Sequence, residues 1–150
     1  MKTKKIQIKD LKAGMKIKTM SEGKVVFKTV TDVWDTYVPS DRQRKLSFSN
    51  GSVVICSDTH PIMVLDSFGN FIQKMPDYLT KFDEVMTDNG VAFLTSNEPA
   101  FEDSNFTDIS VDETETFFSA LTEDSAMALT HNCSQGGLRG ASATVSYPFW

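Results

Sequence analysis

A chain of 150 residues, 40% apolar and 23% charged, is long enough for one soluble globular domain with a core of its own and too short for two. No apolar run approaches the roughly 18 residues of a membrane span, the start at Met1–Lys5 lacks the apolar core of a secretion signal, and two cysteines, Cys56 and Cys133, are too few for a disulfide framework or a zinc site. The net charge of −5 is divided unevenly: residues 1–28 hold nine lysines against Asp10 and Glu22, a local +7, which leaves −12 on the rest.

A cytoplasmic chain without membrane partner, metal or cofactor is therefore expected. The basic stretch has no arginine and no aromatic platform for stacked bases, so it suits an acidic protein partner or a solvated face, and no nucleic acid. In chain order, Ile6–Lys9 alternates apolar and charged residues with the period of a half-buried strand. Asp10–Gly14 reads as a turn, and Met15–Lys18 resumes the alternation. Ser21–Lys24 is a hairpin signal leading into the β-rich run Val25–Trp34, which Pro39–Asp41 breaks. Lys45–Ser49 and Val53–Cys56 flank Asn50-Gly51, a strong two-residue hairpin signal. Met63–Leu65 and Phe71–Gln73 form another hairpin across Asp66–Asn70. Further strands are expected at Asp83–Thr87, Val91–Thr95, Phe106–Val111 and Thr116–Ala120, with one helical turn over 77–82. The chain reads as all-β.

Asp10–Ile17 is echoed by Tyr78–Val85 at an offset of 68, each a leucine-bearing turn followed by a short strand. Two related β subdomains about a pseudo-two-fold axis are expected. After Asn132 the composition changes to Ser, Gln, Gly, Leu, Arg and Ala. Glycines at 136, 137 and 140 are expected to leave this tail without a strand of its own and apart from the β domain.

The chemistry is concentrated at His131-Asn132-Cys133. An asparagine amide can attack its own carbonyl, close a succinimide and cut the chain, and a cysteine thiolate after the cut can accept an acyl group. Gly51–His60 adds a strand followed by Ser57-Asp-Thr-His60-Pro. This segment resembles the intein (Hint-fold) block of Gly, strand and Thr-x-x-His, with Ser57 at the threonine position. Thr107–Phe118 resembles, without a gap, the later intein block of Asp, strand, His and Phe-Phe, with Asp108 and Phe117-Phe118 in place. Glu115 stands where the family often has histidine. Met127–Asn132, followed by Cys133, resembles the terminal block. Ile8–Ile17 is similar to the early Leu-x-x-Gly-Asp turn, with Met15 at the Asp position.

The resemblance implies a Hint fold, horseshoe-like and all-β. The first intein block, a leading Cys or Ser with its strand, is missing, since no cysteine precedes Cys56 and Met1 leads directly into lysine-rich sequence, and no insert is long enough for a homing endonuclease. Residues 1–132 are thus expected to be the larger, C-terminal part of an atypically split intein, incomplete without a short, acidic N-terminal fragment. Residues 133–150 resemble the Cys-Ser-Gln-Gly-Gly-Val-Arg-Gly stretch of the class I ribonucleotide reductase large subunit. They are expected to be the start of a host protein, the C-extein, with no reductase activity in so short a piece.

The activity implied is trans-splicing, a single-turnover self-processing reaction. In it His60 and Ser57 hold and activate the upstream scissile peptide, Cys133 takes over the acyl group, and Asp108 moves a proton or positions the thiol. Asn132 cyclises with help from His131 and from Glu115 in place of the family histidine. A spontaneous S-to-N shift completes the ligation. Cys56 is expected to fill the core. The alternatives are a decayed intein that only binds its partner, which Glu115 and Met15 favour, and a relative that only cleaves itself after Asn132.

Overall fold

The computed structural model describes residues 2–122, 124–139 and 143–149. Among them run fourteen strands and no α-helix: β1 (Lys2–Gln7), β2 (Lys16–Ser21), β3 (Lys24–Tyr37), β4 (Gln43–Phe48), β5 (Val53–Ser57), β6 (Ile62–Leu65), β7 (Phe71–Lys74), β8 (Glu84–Thr87), β9 (Gly90–Pro99), β10 (Asn105–Val111), β11 (Thr116–Ser119), β12 (Ala128–His131), β13 (Leu138–Arg139) and β14 (Thr144–Phe149).

The local hairpins follow from their turn residues. At Ser21–Lys24 both central residues are left-handed, Glu22 at φ 51° and Gly23 at φ 75°. That conformation twists the loop in the sense β2 and β3 need to pair, from Ser21↔Lys24 back to Lys16↔Thr29. Between β6 and β7, Asp66 Oδ1 accepts the N–H groups of Phe68 and Asn70, both at 2.9 Å, and closes the turn with its own side chain. The helical turn expected over 77–82 is instead a 3₁₀ turn at Pro76–Tyr78, where Pro76 presets the first position. It stops there because Asp83 takes the Thr80 N–H at 2.8 Å and the Lys74 ammonium at 2.9 Å.

The internal echo is structural. A 3₁₀ turn at Ile8–Asp10 is followed by buried Leu11, then β2 and its hairpin to β3. A 3₁₀ turn at Pro76–Tyr78 is followed by buried Leu79, then β8 and its hairpin to β9. In each copy the leucine N–H closes the turn onto the residue three before it, at 3.2 Å.

The strands form one continuous path, β11-β12-β6-β8-β9-β4-β5-β13-β10-β3-β2, with β7 on the side of β6 and β1 paired separately with β14. The main core gathers Leu46, Val54, Cys56, Ile62, Ile109 and Phe117 from both halves of this path. Cys56 lies in this core, as expected.

The tail departs from expectation. Its described residues form β13, inserted between β5 and β10 through Leu138↔Cys56 and Leu138↔Thr107, and β14, paired along β1 from Thr144↔Gln7 to Phe149↔Lys2. Leu138 and Val145 are buried in the main core. The glycines that weaken a strand locally do not prevent two short ones, because the partners here are distant strands with open edges. The same pairing explains why β1 begins at Lys2 and ends at Gln7, where Ile6–Lys9 was expected. β14 supplies its ladder, and the backbone then turns at Ile8, whose N–H goes to Ala143 O at 2.8 Å. No helix of the described residues is long and apolar enough to cross a membrane.

Candidate active site

Ser57 ends β5, and a tight turn brings His60 back, its N–H donating to Ser57 O at 3.1 Å. The imidazole is fully buried. Its Nε2 meets Thr130 Oγ1 at 2.9 Å, and its edge rests against Phe117, ring centroids 6.0 Å apart. Its Nδ1 lies 3.4 Å from Asp108 Oδ2, an ion-pair distance at which the alignment for a hydrogen bond is not met.

Asp108 is buried in the middle of β10. One carboxylate oxygen accepts its neighbour's N–H, from Ile109 at 2.9 Å. The other accepts the Cys133 N–H at 2.7 Å while facing His60. A single carboxylate thus touches the histidine of the first block and the backbone of the cysteine in the last one.

Glu115 sits in the turn between β10 and β11 at φ 53°, with Glu113 at φ 68° beside it. Left-handed backbone costs a non-glycine residue about 1–2 kcal/mol, and the hydrogen bonds show what holds it here. Glu115 Oε1 accepts from Ser110 Oγ at 2.7 Å and from the Val111 N–H at 3.0 Å, and its own N–H donates to Val111 O at 3.0 Å. That leaves Oε2 aimed at Asn132, whose Nδ2 donates to it at 2.6 Å. The second Nδ2 hydrogen goes to Ile109 O at 2.9 Å, and the Asn132 N–H goes to Glu115 O at 3.0 Å. His131 Nδ1 is 2.9 Å from the Asn132 carbonyl oxygen; an oxygen of that kind only accepts, so Nδ1 carries the hydrogen in this contact.

The seven candidates lie together: Ser57 O takes the His60 N–H, Asp108 takes the Cys133 N–H, Asn132 is bonded to Glu115 and His131, and the 3.4 Å approach of His60 to Asp108 joins the two sides. Glu115 stands inside this group and not at an exposed strand end. Two participants, both threonines, were not read as site residues in the sequence. Thr130 holds His60, and Thr59 Oγ1 lies 3.2 Å from Ser57 Oγ. Gly136-Gly137 lies against Ser57, whose Oγ accepts the Gly137 N–H at 3.0 Å and whose N–H donates to Gly137 O at 2.9 Å. A Cβ on Gly136 would collide with Ser57 Oγ and Thr59 Oγ1. Met15, at the position where the resemblance has an aspartate, packs partly buried against the main core. Among the described residues no group of three His, Cys, Asp or Glu side chains could hold a metal ion.

The two thiols differ sharply. Burial pushes the Cys56 thiol far above its ordinary value, and the nearby Asp58 charge adds to this. Cys56 stays protonated through the physiological range, and a protonated thiol is a poor nucleophile. Cys133 is half-buried. An alkylating reagent at neutral pH is expected to label Cys133 and spare Cys56 in the folded chain, and to label both in denaturant. Peptide mapping of the labelled chain checks this.

No family model matches the chain, and no curated protein does. Solved structures do. The solution structure of a bacterial intein-like domain from Clostridium thermocellum superimposes with a TM-score of 0.66 at 23% identity, over 85% of this chain and 88% of that one. A DnaB intein from Synechocystis sp. PCC 6803 gives 0.67 at 18%, over 85% and 86%. The TvoVMA intein gives 0.65 at 18%, over 87% and 75%. At these identities the likeness is one of backbone architecture, and it agrees with the duplicated turn–strand–hairpin motif. The chain has the all-β Hint fold of the inteins.

Proposed function

We propose that the chain splices proteins in trans. Residues 1–132 are the larger, C-terminal part of a split intein, and residues 133–150 are the C-extein, the start of a ribonucleotide reductase large-subunit segment. A short N-terminal fragment, carried on a separate chain, brings the upstream protein and the leading nucleophile. The observation that supports this best is the position of Asp108, between the histidine assigned to the upstream junction and Cys133. The acyl group has to cross between those two places.

In this reading the leading thiol or hydroxyl attacks the carbonyl before it, forming a (thio)ester and freeing an amine. His60 supplies a proton to that nitrogen, imidazole being the side chain that titrates closest to neutrality, and Ser57 holds the peptide. The Cys133 thiolate attacks the new ester and displaces the leading group. Asn132 Nδ2 then attacks its own carbonyl carbon, the bond to the Cys133 nitrogen breaks, and a succinimide remains on the intein. Glu115 takes the amide proton, and His131 polarises the carbonyl and gives a proton to the departing Cys133 nitrogen. The freed amine of Cys133 attacks its own thioester and makes the peptide bond.

The lysines of residues 1–28 would draw in an acidic partner, although Lys18 and Lys28 are already paired with Asp88 at 3.3 Å and Glu113 at 3.0 Å. The decisive measurement is to mix the chain with a synthetic N-fragment bearing a leading cysteine behind a reporter segment and to follow intact masses. A ligated reporter–extein product is expected, with an intein mass ending in a succinimide. A complex without ligation would mean a binding module, and release of the tail alone would mean self-cleavage.

A further inference from the structure

The tail is the part of this fold whose position the splicing reading does not explain. If Cys133 begins the product, every residue after it leaves the catalyst. Yet Leu138 and Val145 are buried in the main core, and Leu138 closes the sheet between β5 and β10. An excised intein would be left with two empty strand positions. Something other than the tail must fill them once the reaction is over.

We propose that the tail is a stand-in for the partner fragment, holding the partner's seat in the unassembled chain and giving it up on assembly. The inference rests on the trans-splicing reading. It commits to one occupant of the seat after exchange, the extended N-fragment. Three observations carry it.

First, Ser57 is assigned to hold the upstream scissile peptide, and here it holds a peptide already. It grips the Gly137 unit on both sides, N–H at 3.0 Å and C=O at 2.9 Å. Gly136 lets the backbone come this close, since a side chain there would strike Ser57 and Thr59. Second, the mimicry is incomplete. The glycine peptide satisfies Ser57 but leaves the buried His60 Nδ1 with no hydrogen bond from the protein. A substrate peptide placed for protonation at its nitrogen would supply that bond, so the seat is better matched to the partner than to the tail. Third, the far end of the tail is loosely bedded. β14 carries Pro148, which has no N–H to give a ladder. A cleft of about 400 Å³ remains between Tyr147-Pro148 and the Gly14–Lys16 turn. Both are features of a strand that can be exchanged.

A seat that is occupied most of the time lowers the apparent affinity of its true ligand by the fraction of time it is free. Loosening the tail should therefore speed assembly, which is the opposite of what damage to a permanent core strand does. Two full-length variants test this against the synthetic N-fragment. Gly136→Ala pushes the tail off Ser57, and Val145→Asp expels β14 from the core. Neither residue belongs to the catalytic group.

Each variant is expected to associate with the fragment about tenfold faster than the parent chain. Hydrogen exchange on the parent is expected to show β13 and β14 amides protected alone and exposed once the fragment is bound. Slower association by Gly136→Ala, or tail amides that stay protected in the complex, overturns the inference while splicing itself stands. Should Val145→Asp fail to fold, Gly136→Ala and the exchange data decide alone. If the parent binds the fragment and never ligates it, the functional reading fails and the exchange result still reports on the seat.

Discussion

Replacement of Asn132 by alanine is expected to stop the chain at the branched species, with the acyl group on Cys133 and no release from the intein. An amide nitrogen is a weak nucleophile, so alignment has to supply most of the acceleration. In the proposed mechanism three contacts supply that alignment. Both Nδ2 hydrogens are held, one by Glu115 Oε2 at 2.6 Å and one by Ile109 O at 2.9 Å, while His131 Nδ1 sits 2.9 Å from the carbonyl under attack. Alanine removes the nucleophile outright, so the loss of release is complete. Mass spectrometry of the reaction with the N-fragment reads it directly, as a persistent species carrying both segments. Glu115→Gln separates position from charge. Glutamine keeps an oxygen for Ser110 and Val111 but loses the base, and release is expected to slow by about 10²-fold, the lower end for a positioned acid–base group. Release from the alanine variant at the parent rate would mean that the cut is not made by Asn132.

That the candidate residues come together was legible because their chemistry is tied to spacing along the chain. Asn132 next to Cys133, and a histidine three residues beyond Ser57, keep their meaning wherever the strands go. The hairpin at Glu22-Gly23 was legible for the same reason, since it acts over two residues, whereas at Asn50-Gly51 only Gly51 is left-handed and the turn is longer than two residues, closed by the Phe48 N–H on Ser52 O at 2.9 Å. What was not legible depends on partners far away in sequence. Thr130 looks like any β-branched strand residue, and only the pairing of β12 with β6, at Thr130↔Ile62, brings its hydroxyl to His60. The tail failed in the opposite direction. Its glycines were read as breakers, but at Gly136 the absence of a Cβ is what permits contact with Ser57 and Thr59. Glycine speaks for close approach as readily as for disorder, and its neighbours decide which. The lysines at 2, 4 and 5 carry no alternation that marks a strand, and they lie in one because β14 lies beside them.

Asp108→Asn is expected to uncouple the two halves of the reaction. In the parent chain one oxygen of Asp108 accepts the Ile109 N–H at 2.9 Å, and the other accepts the Cys133 N–H at 2.7 Å and faces His60 at 3.4 Å. Asparagine keeps one of these acceptors. If its oxygen stays with Ile109, its amide N–H₂ meets the Cys133 N–H, donor against donor, and the cysteine backbone shifts. A buried donor left without an acceptor costs about 1–3 kcal/mol, so a drop of that size in unfolding stability should accompany the change. In the proposed mechanism acyl formation at the upstream junction and its transfer to Cys133 both depend on this carboxylate, and together they are expected to slow by about 10²–10⁴-fold. In the proposed mechanism cyclisation of Asn132 depends on Glu115, Ile109 O and His131, and the Asp108 side chain reaches these three only through the Ile109 N–H, a bond that the asparagine oxygen keeps. The tail should therefore still be released after Asn132, now without ligation. The ratio of ligated to cleaved product, read by mass, is the informative quantity. A matched fall in both products would mean that Asp108 serves the fold alone, because only a carboxylate acting at the upstream junction and at Cys133 shifts the ratio toward cleavage.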